Sequence, residues 1–142
     1  RITVIGNGDL SSQLSRFSEE NESFDYFERH RREEIPEILA GNHIGIMPMP
    51  DIPIWRIASP LKLAEYISSG LLIIGPSHPG NQLSGKEDWS LLTGEDWAEE
   101  SIGRINEVIN SDWSLLSSSA LESSRSLDWN EISRKFMKDL FQ

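Results

Sequence analysis

Four residues at the start of one predicted helix have the types and spacing to bind an anion. Ser59 is suited to an N-cap and Pro60 to the first helical position, so the backbone amides of Leu61 and Lys62 are predicted to point out of the helix end. The Lys62 ammonium stands in a first turn, where a helix ordinarily favours an acidic side chain. Two amides, a hydroxyl and a cation suit a phosphate or diphosphate. The alternative is that Lys62 simply extends into water.

Glu65 lies three residues after Lys62 and therefore on the same side of the predicted helix. Its carboxylate can accept hydrogen bonds from vicinal hydroxyls, as acidic residues do with ribose in dinucleotide-binding folds. An ordinary ion pair with Lys62, worth about 0.2–0.5 kcal/mol, explains the spacing equally well. The spacing alone does not choose between these two interpretations.

Alternating strands and helices are predicted to position this helix start. The predicted strands are residues 2–5, 24–30, 43–47 and 71–75, with helical periodicity at 10–17, 31–41 and 60–69 and a loop at 51–58. Short links between alternating elements predict an α/β fold, a Rossmann-like parallel sheet with helices on both faces. Such sheets bind ligands at the carboxyl ends of their strands.

The second half of the chain is predicted to be mainly helical. Residues 88–93 are predicted to form one more short strand, followed by helices at 95–110, 112–127 and 129–141. The serine-rich run SLLSSSALESSRSL is interpreted as a polar helix surface rather than a disordered linker. Its core-facing residues are predicted to be Leu115, Leu116, Ala120 and Leu127.

Composition excludes several classes of protein. A chain of 142 residues is long enough for one sizeable core, and its net charge of -10 makes nucleic acid an unfavourable partner. There is no cysteine, and the three histidines are scattered, so no metal site is expected. No apolar run approaches the roughly 20 residues that span a bilayer. Because the chain begins directly on a strand, we expect it to be a piece of a longer protein.

Four segments together resemble a known family. The run SPLKLAEYISSGLLIIGP, residues 59–76, is similar to the donor-binding helix of the retaining glycosyltransferases of family four, which have the two-domain GT-B fold. The runs RITVIGNGDL, EIPEILAGNHIGIMPMPD and LDWNEISRKFMKDLF resemble other segments of that fold's C-terminal domain, in the family's order. The resemblance implies one Rossmann-like domain over residues 1–142, with a helical C-terminal segment. Its first strand and the N-terminal acceptor domain would lie upstream.

The resemblance assigns roles at the helix start. Glu65 matches the second glutamate of the family's E-x7-E motif, which binds the donor ribose, while Ser59, Leu61 and Lys62 match the helix start facing the donor diphosphate. The first glutamate of that motif is replaced by Ile57, a departure shared by a subset with the pattern S-P-x-K-x-x-E.

The resemblance also places the nucleobase near His30. Two residues of the loop at 51–58 are further candidates for contacts: Asp51, whose carboxylate can hold the sugar, and Trp55, whose ring can stack on a base or a sugar. Each of these residues has an ordinary alternative: a surface histidine, a turn-forming aspartate and a packed tryptophan. Gly6 and Gly8 form a glycine turn that permits close approach of a ligand.

The implied activity is transfer of a sugar, with retention, from a nucleoside diphosphate sugar to a glycan or lipid-linked acceptor. Neither a metal nor a cofactor is implied, and the chain by itself is expected to be inactive. The resemblance implies a cytoplasmic protein and is compatible with peripheral association of the full-length protein at the inner face of the membrane. The alternatives are half of a GT-B nucleotide-sugar epimerase and a noncatalytic α/β interaction domain. A receiver-type domain fits less well, since Asp9 and Asp51 are its only candidate acidic residues.

Overall fold

The computed structural model describes residues 1–58 and 61–141 and has a mixed α/β fold with parallel strands. The chain divides into two compact units, Arg1–Glu37 and Ile38–Gln142. Each unit contains one two-stranded parallel sheet. The α/β class and the parallel pairing are therefore confirmed, while a continuous Rossmann-like sheet and a single domain stay predictions.

The first unit is a β–α–β arrangement. Strand β1 (Ile2–Ile5), helix α1 (Ser11–Glu20) and strand β2 (Phe24–Phe27) follow one another as predicted, with β1 and β2 parallel. Strand β2 ends at Phe27 rather than at residue 30, because the Gly6 amide donates to the Phe27 carbonyl and β1 offers no partner beyond that point. In residues 1–37 no side chain is fully buried.

Helix α2 (Ile35–Ala40) contains the boundary between the two units. A short 3-10 turn, Arg32–Glu34, leads into it. The helix stops just before Gly41, whose amide donates to the Ile38 carbonyl at 3.2 Å. The predicted helix over 31–41 is thus confirmed in its extent, with a tighter first turn.

The second unit is built on strands β3 (Ile44–Ile46) and β4 (Leu72–Ile74), which are parallel. Between them lie helix α3 (Pro53–Arg56) and helix α4 (Leu61–Ile67). The prediction of a loop at 51–58 is wrong at residues 53–56, which form α3. Pro53 occupies the first turn of that helix, and proline's fixed φ favours a helix start. Every residue of β4 is buried, as the continuous apolar run predicted.

Residues 88–93 run beside β4 without forming a regular strand. Two isolated parallel bridges join Ile73 to Ser90 and Pro76 to Thr93. The Ile73 amide donates to the Trp89 carbonyl at 3.1 Å, and the Leu91 amide donates to the Ile73 carbonyl at 2.8 Å. The predicted strand is therefore present only as an edge segment with two bridges.

Three longer helices complete the second unit: α5 (Trp97–Ile109), α6 (Trp113–Ser124) and α7 (Trp129–Leu140), with a 3-10 turn between α6 and α7. The serine-rich run is helical, as predicted. Ala120 is fully buried and Leu116 packs against the core, but Leu115 is 66% exposed. The prediction for Leu115 is wrong because adjacent residues on a helix point about 100° apart. Within the described residues, no helix combines the length and the apolarity that crossing a bilayer requires.

Candidate functional site

Helix α4 is oriented by its apolar side. Leu63 and Ile67 are buried, and the Tyr66 ring lies on the backbone of Gly45 in β3. A Cβ atom at Gly45 would lie 2.2 Å from the Tyr66 ring, so only glycine allows this packing. Because the apolar side is held against the sheet, Lys62 and Glu65 are left on the outer side of the helix.

Lys62 and Glu65 are adjacent and solvent-exposed, as their spacing predicted. The Lys62 Nζ lies 2.8 Å from Glu65 Oε2, and the two side chains are 61% and 43% exposed. Leu61, the first residue of α4, is 78% exposed. The predicted N-cap residues Ser59 and Pro60 lie outside the described residues. The structure thus brings together the predicted cation and carboxylate, which form an ion pair with each other.

The Glu65 carboxylate retains capacity for a ligand. Lys62 engages Oε2, and within the described part of the chain Oε1 accepts no hydrogen bond. The Ser68 and Ser69 hydroxyls donate to the Glu65 backbone carbonyl, at 3.1 and 2.9 Å, so they leave the carboxylate unoccupied. An ionised carboxylate accepts hydrogen bonds at both oxygens, so vicinal hydroxyls can still be bound at Glu65.

Asp51 is occupied by a neighbouring arginine. Arg56, at the end of α3, donates from Nε and Nη2 to the two carboxylate oxygens of Asp51, at 2.5 and 2.8 Å. The hydrogen bonds from the Arg56 guanidinium hold the pKa of the Asp51 carboxyl below its usual value. Trp55, in the same helix, is 38% exposed, and Ile57, at the place of the missing glutamate, is 86% exposed. The bidentate pair leaves Asp51 less available for a sugar hydroxyl.

The Asp51–Arg56 pair predicts an acid-dependent loss of stability. Because the folded-state pKa of Asp51 is below its unfolded value of about 4, the pair stabilises the fold above that pH and stops doing so as pH falls through the folded-state pKa. The urea midpoint of the natural chain is therefore expected to exceed that of Asp51→Asn at pH 6, with the difference closing towards pH 2. Arg56→Gln should behave in the same way. A difference that does not change with pH would contradict this.

The loop after Gly75, at the carboxyl end of β4, was expected to border the site, but none of its residues was predicted as a contact. His78 is 3% exposed, its Nε2 lies 3.1 Å from the Met49 carbonyl, and its Nδ1 accepts from the Gly80 amide at 3.2 Å. A Cβ atom at Gly80 would lie 1.9 Å from the Trp55 carbonyl oxygen. These contacts join the loop after β4 to the segment after β3 that carries Asp51 and Trp55. The signal available in the sequence was the run GPSHPGN, residues 75–81, directly after a buried strand.

The glycine turn in the first unit uses its amides internally. The Gly6 amide donates to the Phe27 carbonyl at 3.0 Å, and the Gly8 amide donates to Ser11 Oγ at 3.0 Å. The Tyr26 hydroxyl donates to the Gly6 carbonyl at 2.8 Å. Space around both glycines is open, since an added Cβ atom would meet nothing within 4 Å. A ligand therefore has space to approach both glycines, but neither amide is free to donate to a phosphate.

His30 also lies in the first unit and is held by a carboxylate. Its Nδ1 is 3.1 Å from Glu34 Oε2, and its ring packs edge-on against Phe27 with ring centroids 4.8 Å apart. Its Nε2 atom is buried and has no hydrogen-bond partner among the described residues. Of the predicted contacts, His30, Gly6 and Gly8 thus belong to one unit. The other unit contains Asp51, Trp55, Leu61, Lys62 and Glu65.

The helix start does not by itself identify a class of protein. Pairs of lysine and glutamate three residues apart are common on exposed helix surfaces. Among residues 1–58 and 61–141, no group of three or more His, Asp or Glu side chains is arranged to hold a metal ion. The sequence matches no protein-family model and no curated protein.

Proposed function

We propose that this chain is the donor-binding half of a retaining glycosyltransferase, with the Rossmann-like fold of the C-terminal half of a GT-B enzyme. The observation that carries the proposal is the exposed Lys62–Glu65 pair on α4, in the run that resembles the family's donor-binding helix. The helix follows the segment after β3, and ligands of parallel α/β sheets bind beyond the carboxyl ends of strands.

Each residue of the pair has a separate role in the proposal. Lys62 neutralises the donor diphosphate as a point charge, and Glu65 accepts hydrogen bonds from the ribose hydroxyls. During transfer the bond between the anomeric carbon and the diphosphate oxygen breaks as the acceptor oxygen bonds to the same carbon, and the acceptor hydroxyl proton passes to the departing diphosphate. Lys62 stabilises the negative charge that develops on the diphosphate. The Lys62–Glu65 pair must separate for this, which costs only about 0.2–0.5 kcal/mol for an exposed helix pair.

The proposal implies a nucleoside diphosphate sugar as substrate, a glycan or lipid-linked acceptor and a cytoplasmic location. Acceptors that are lipid-linked would bring the full-length protein to the inner face of the membrane. These implications depend on the resemblance and on the Lys62–Glu65 pair together.

A noncatalytic α/β interaction domain is the second candidate. The direct 2.8 Å contact between Lys62 and Glu65 favours it, because a surface ion pair needs no ligand to explain it. The epimerase alternative has no such support. An epimerase needs acid–base carboxylates near the sugar, and Asp51, the carboxylate in the segment after β3, is held by Arg56.

Titration with UDP and GDP tests the proposal. We expect binding by calorimetry, with the dissociation constant raised about tenfold or more in Lys62→Ala and in Glu65→Ala, because each loses a hydrogen bond to a charged group worth roughly 1.5–3 kcal/mol. The matched control is Arg104→Ala, which breaks another exposed pair with three-residue spacing, Arg104–Glu107, and should bind like the natural chain.

Two outcomes would count against a donor site. One is the absence of binding by any nucleotide at millimolar concentration. The other is binding that neither Lys62→Ala nor Glu65→Ala changes relative to the Arg104→Ala control. Either result would favour the noncatalytic interaction domain.

A further inference from the structure

His78 joins two stretches of chain that leave paired strands at the same edge of the sheet. It belongs to the loop after β4, residues 75–81, and its ring contacts the segment after β3, residues 47–58. Three polar side chains are buried in the part of the chain that the structure describes: His78, Asn81 and Ser101. Of these three, only the histidine can change its charge near neutral pH.

The partners of the His78 ring fix its protonation state. The Gly80 amide can only donate, so Nδ1, which lies 3.2 Å from it, must accept and carries no proton. The Met49 carbonyl can only accept, so Nε2, which lies 3.1 Å from it, must carry the ring proton. Both contacts are therefore satisfied only by the neutral ring. A second proton would have to enter on Nδ1, where it meets the hydrogen of the Gly80 amide.

The loop around His78 has little room to adjust to such a proton. A Cβ atom at Gly80 would lie 1.9 Å from the Trp55 carbonyl oxygen, so the Gly80 backbone packs directly against α3. The Asn81 amide donates to the His78 carbonyl at 2.9 Å, and Asn81 Nδ2 donates to the Pro76 carbonyl at 3.0 Å. Loss of the bond between Gly80 and Nδ1 must therefore be taken up where Gly80 meets Trp55.

The charged groups that face the ring are already paired with each other. Asp51 and Arg56 are the only charged residues in the segment after β3, and they form an ion pair. The loop after β4 contains no charged residue besides the histidine. Hydrogen bonds from Arg56 hold the pKa of the Asp51 carboxyl below its usual value, so Asp51 stays ionised and occupied at mildly acidic pH. A protonated ring thus gains no free carboxylate to hold it in place.

We propose that His78 is a pH-sensitive switch that holds the loop after β4 against the segment after β3. The neutral ring binds Gly80 and Met49 together. When the ring takes up a second proton, Nδ1 changes from an acceptor to a donor, the bond from Gly80 is lost, and the loop separates from α3. Because histidine changes its charge between about pH 5 and pH 8, this happens above the pH at which the Asp51–Arg56 pair is lost. The inference does not depend on the proposed donor site.

Hydrogen exchange and NMR of the natural chain test the switch without any nucleotide. Nitrogen-15 spectra of the ring at neutral pH should show His78 protonated on Nε2. Between about pH 7.5 and pH 5, the protection factor of the Gly80 amide should fall about tenfold, because one hydrogen bond is lost. The Trp55 indole resonance should shift with the same midpoint. His43 is exposed and should titrate without any effect on Gly80.

Two variants assign the change to the His78 ring. His78→Gln keeps a donor for the Met49 carbonyl, His78→Asn keeps an acceptor for the Gly80 amide, and neither titrates. In both, the protection of Gly80 should be the same at the two pH values, whereas the matched control His43→Gln should keep the tenfold change.

Three results would each overturn the inference. The first is a proton on Nδ1 of His78 at neutral pH. The second is a Gly80 protection factor in the natural chain that does not change with pH. The third is a change that persists in His78→Gln or His78→Asn. If neither variant folds, the first two measurements on the natural chain decide the matter.

Discussion

Replacing Trp89 by alanine is expected to lower the free energy of unfolding by about 3–5 kcal/mol. Trp89 is fully buried and is the largest side chain in the core of the second unit. Its removal leaves a cavity that the surrounding Leu and Ile side chains fill only partly. The indole Nε1 also donates to Ser123 Oγ at 2.9 Å, a hydrogen bond that ties the edge segment beside β4 to α6.

Urea unfolding followed by far-ultraviolet circular dichroism measures this loss. The control is the same substitution at an exposed tryptophan, Trp129→Ala, which should change the free energy of unfolding by no more than about 0.5 kcal/mol. Ser123→Ala separates the hydrogen bond from the packing and should cost about 1 kcal/mol. Equal losses in Trp89→Ala and Trp129→Ala would show that the burial of Trp89 is not what stabilises this unit.

Replacing Gly75 by alanine is expected to cost about 2–5 kcal/mol. Gly75 follows β4 directly and has φ +152°, a backbone conformation that residues with a Cβ atom rarely adopt. A Cβ atom there would lie 2.2 Å from the Met47 carbonyl oxygen, which belongs to the backbone and cannot move aside by rotating a side chain. Strain and overlap therefore act together at this position.

Gly103→Ala provides a control in which the free energy of unfolding is expected to rise rather than fall. Gly103 lies inside α5, and an added Cβ atom would meet nothing within 4 Å. Alanine there should raise the free energy of unfolding by about 0.5–1 kcal/mol, because glycine is a poor helix former. Unfolding curves of the two variants should thus move in opposite directions from that of the natural chain. A Gly75→Ala midpoint equal to or above the natural one would contradict the predicted overlap with Met47.

Local patterns were sufficient for most of the secondary structure. The buried run that became β4, the serine-rich helix α6 and the glycine stop before Leu71 all follow from periodicity and backbone preferences between near neighbours. Helix α3 was not predicted because four residues are too few to show a period. The edge segment at 88–93 was predicted as a regular strand because a bridge and a strand have the same local pattern.

The candidate site was predictable only in part. The exposed position of Lys62 beside Glu65 follows from their spacing on an amphipathic helix. The arginine that occupies Asp51 could have been suspected from sequence proximity, but its bidentate geometry could not. Glu65 and Trp129 line one groove beside α4, and no local sequence pattern predicts this, since the two residues are far apart in the chain.

By itself, the sequence determined the α/β class, the parallel pairing of the strands, the helices other than α3 and the polar side of α4. Only the tertiary structure decided which distant segments meet: Tyr66 on Gly45, Gly75 against Met47, His78 at the Met49 carbonyl, and Trp129 lining the same groove as Glu65. The physical reason is range. Periodicity and capping depend on residues a few positions apart, whereas these contacts depend on packing between segments that come together only when the core forms.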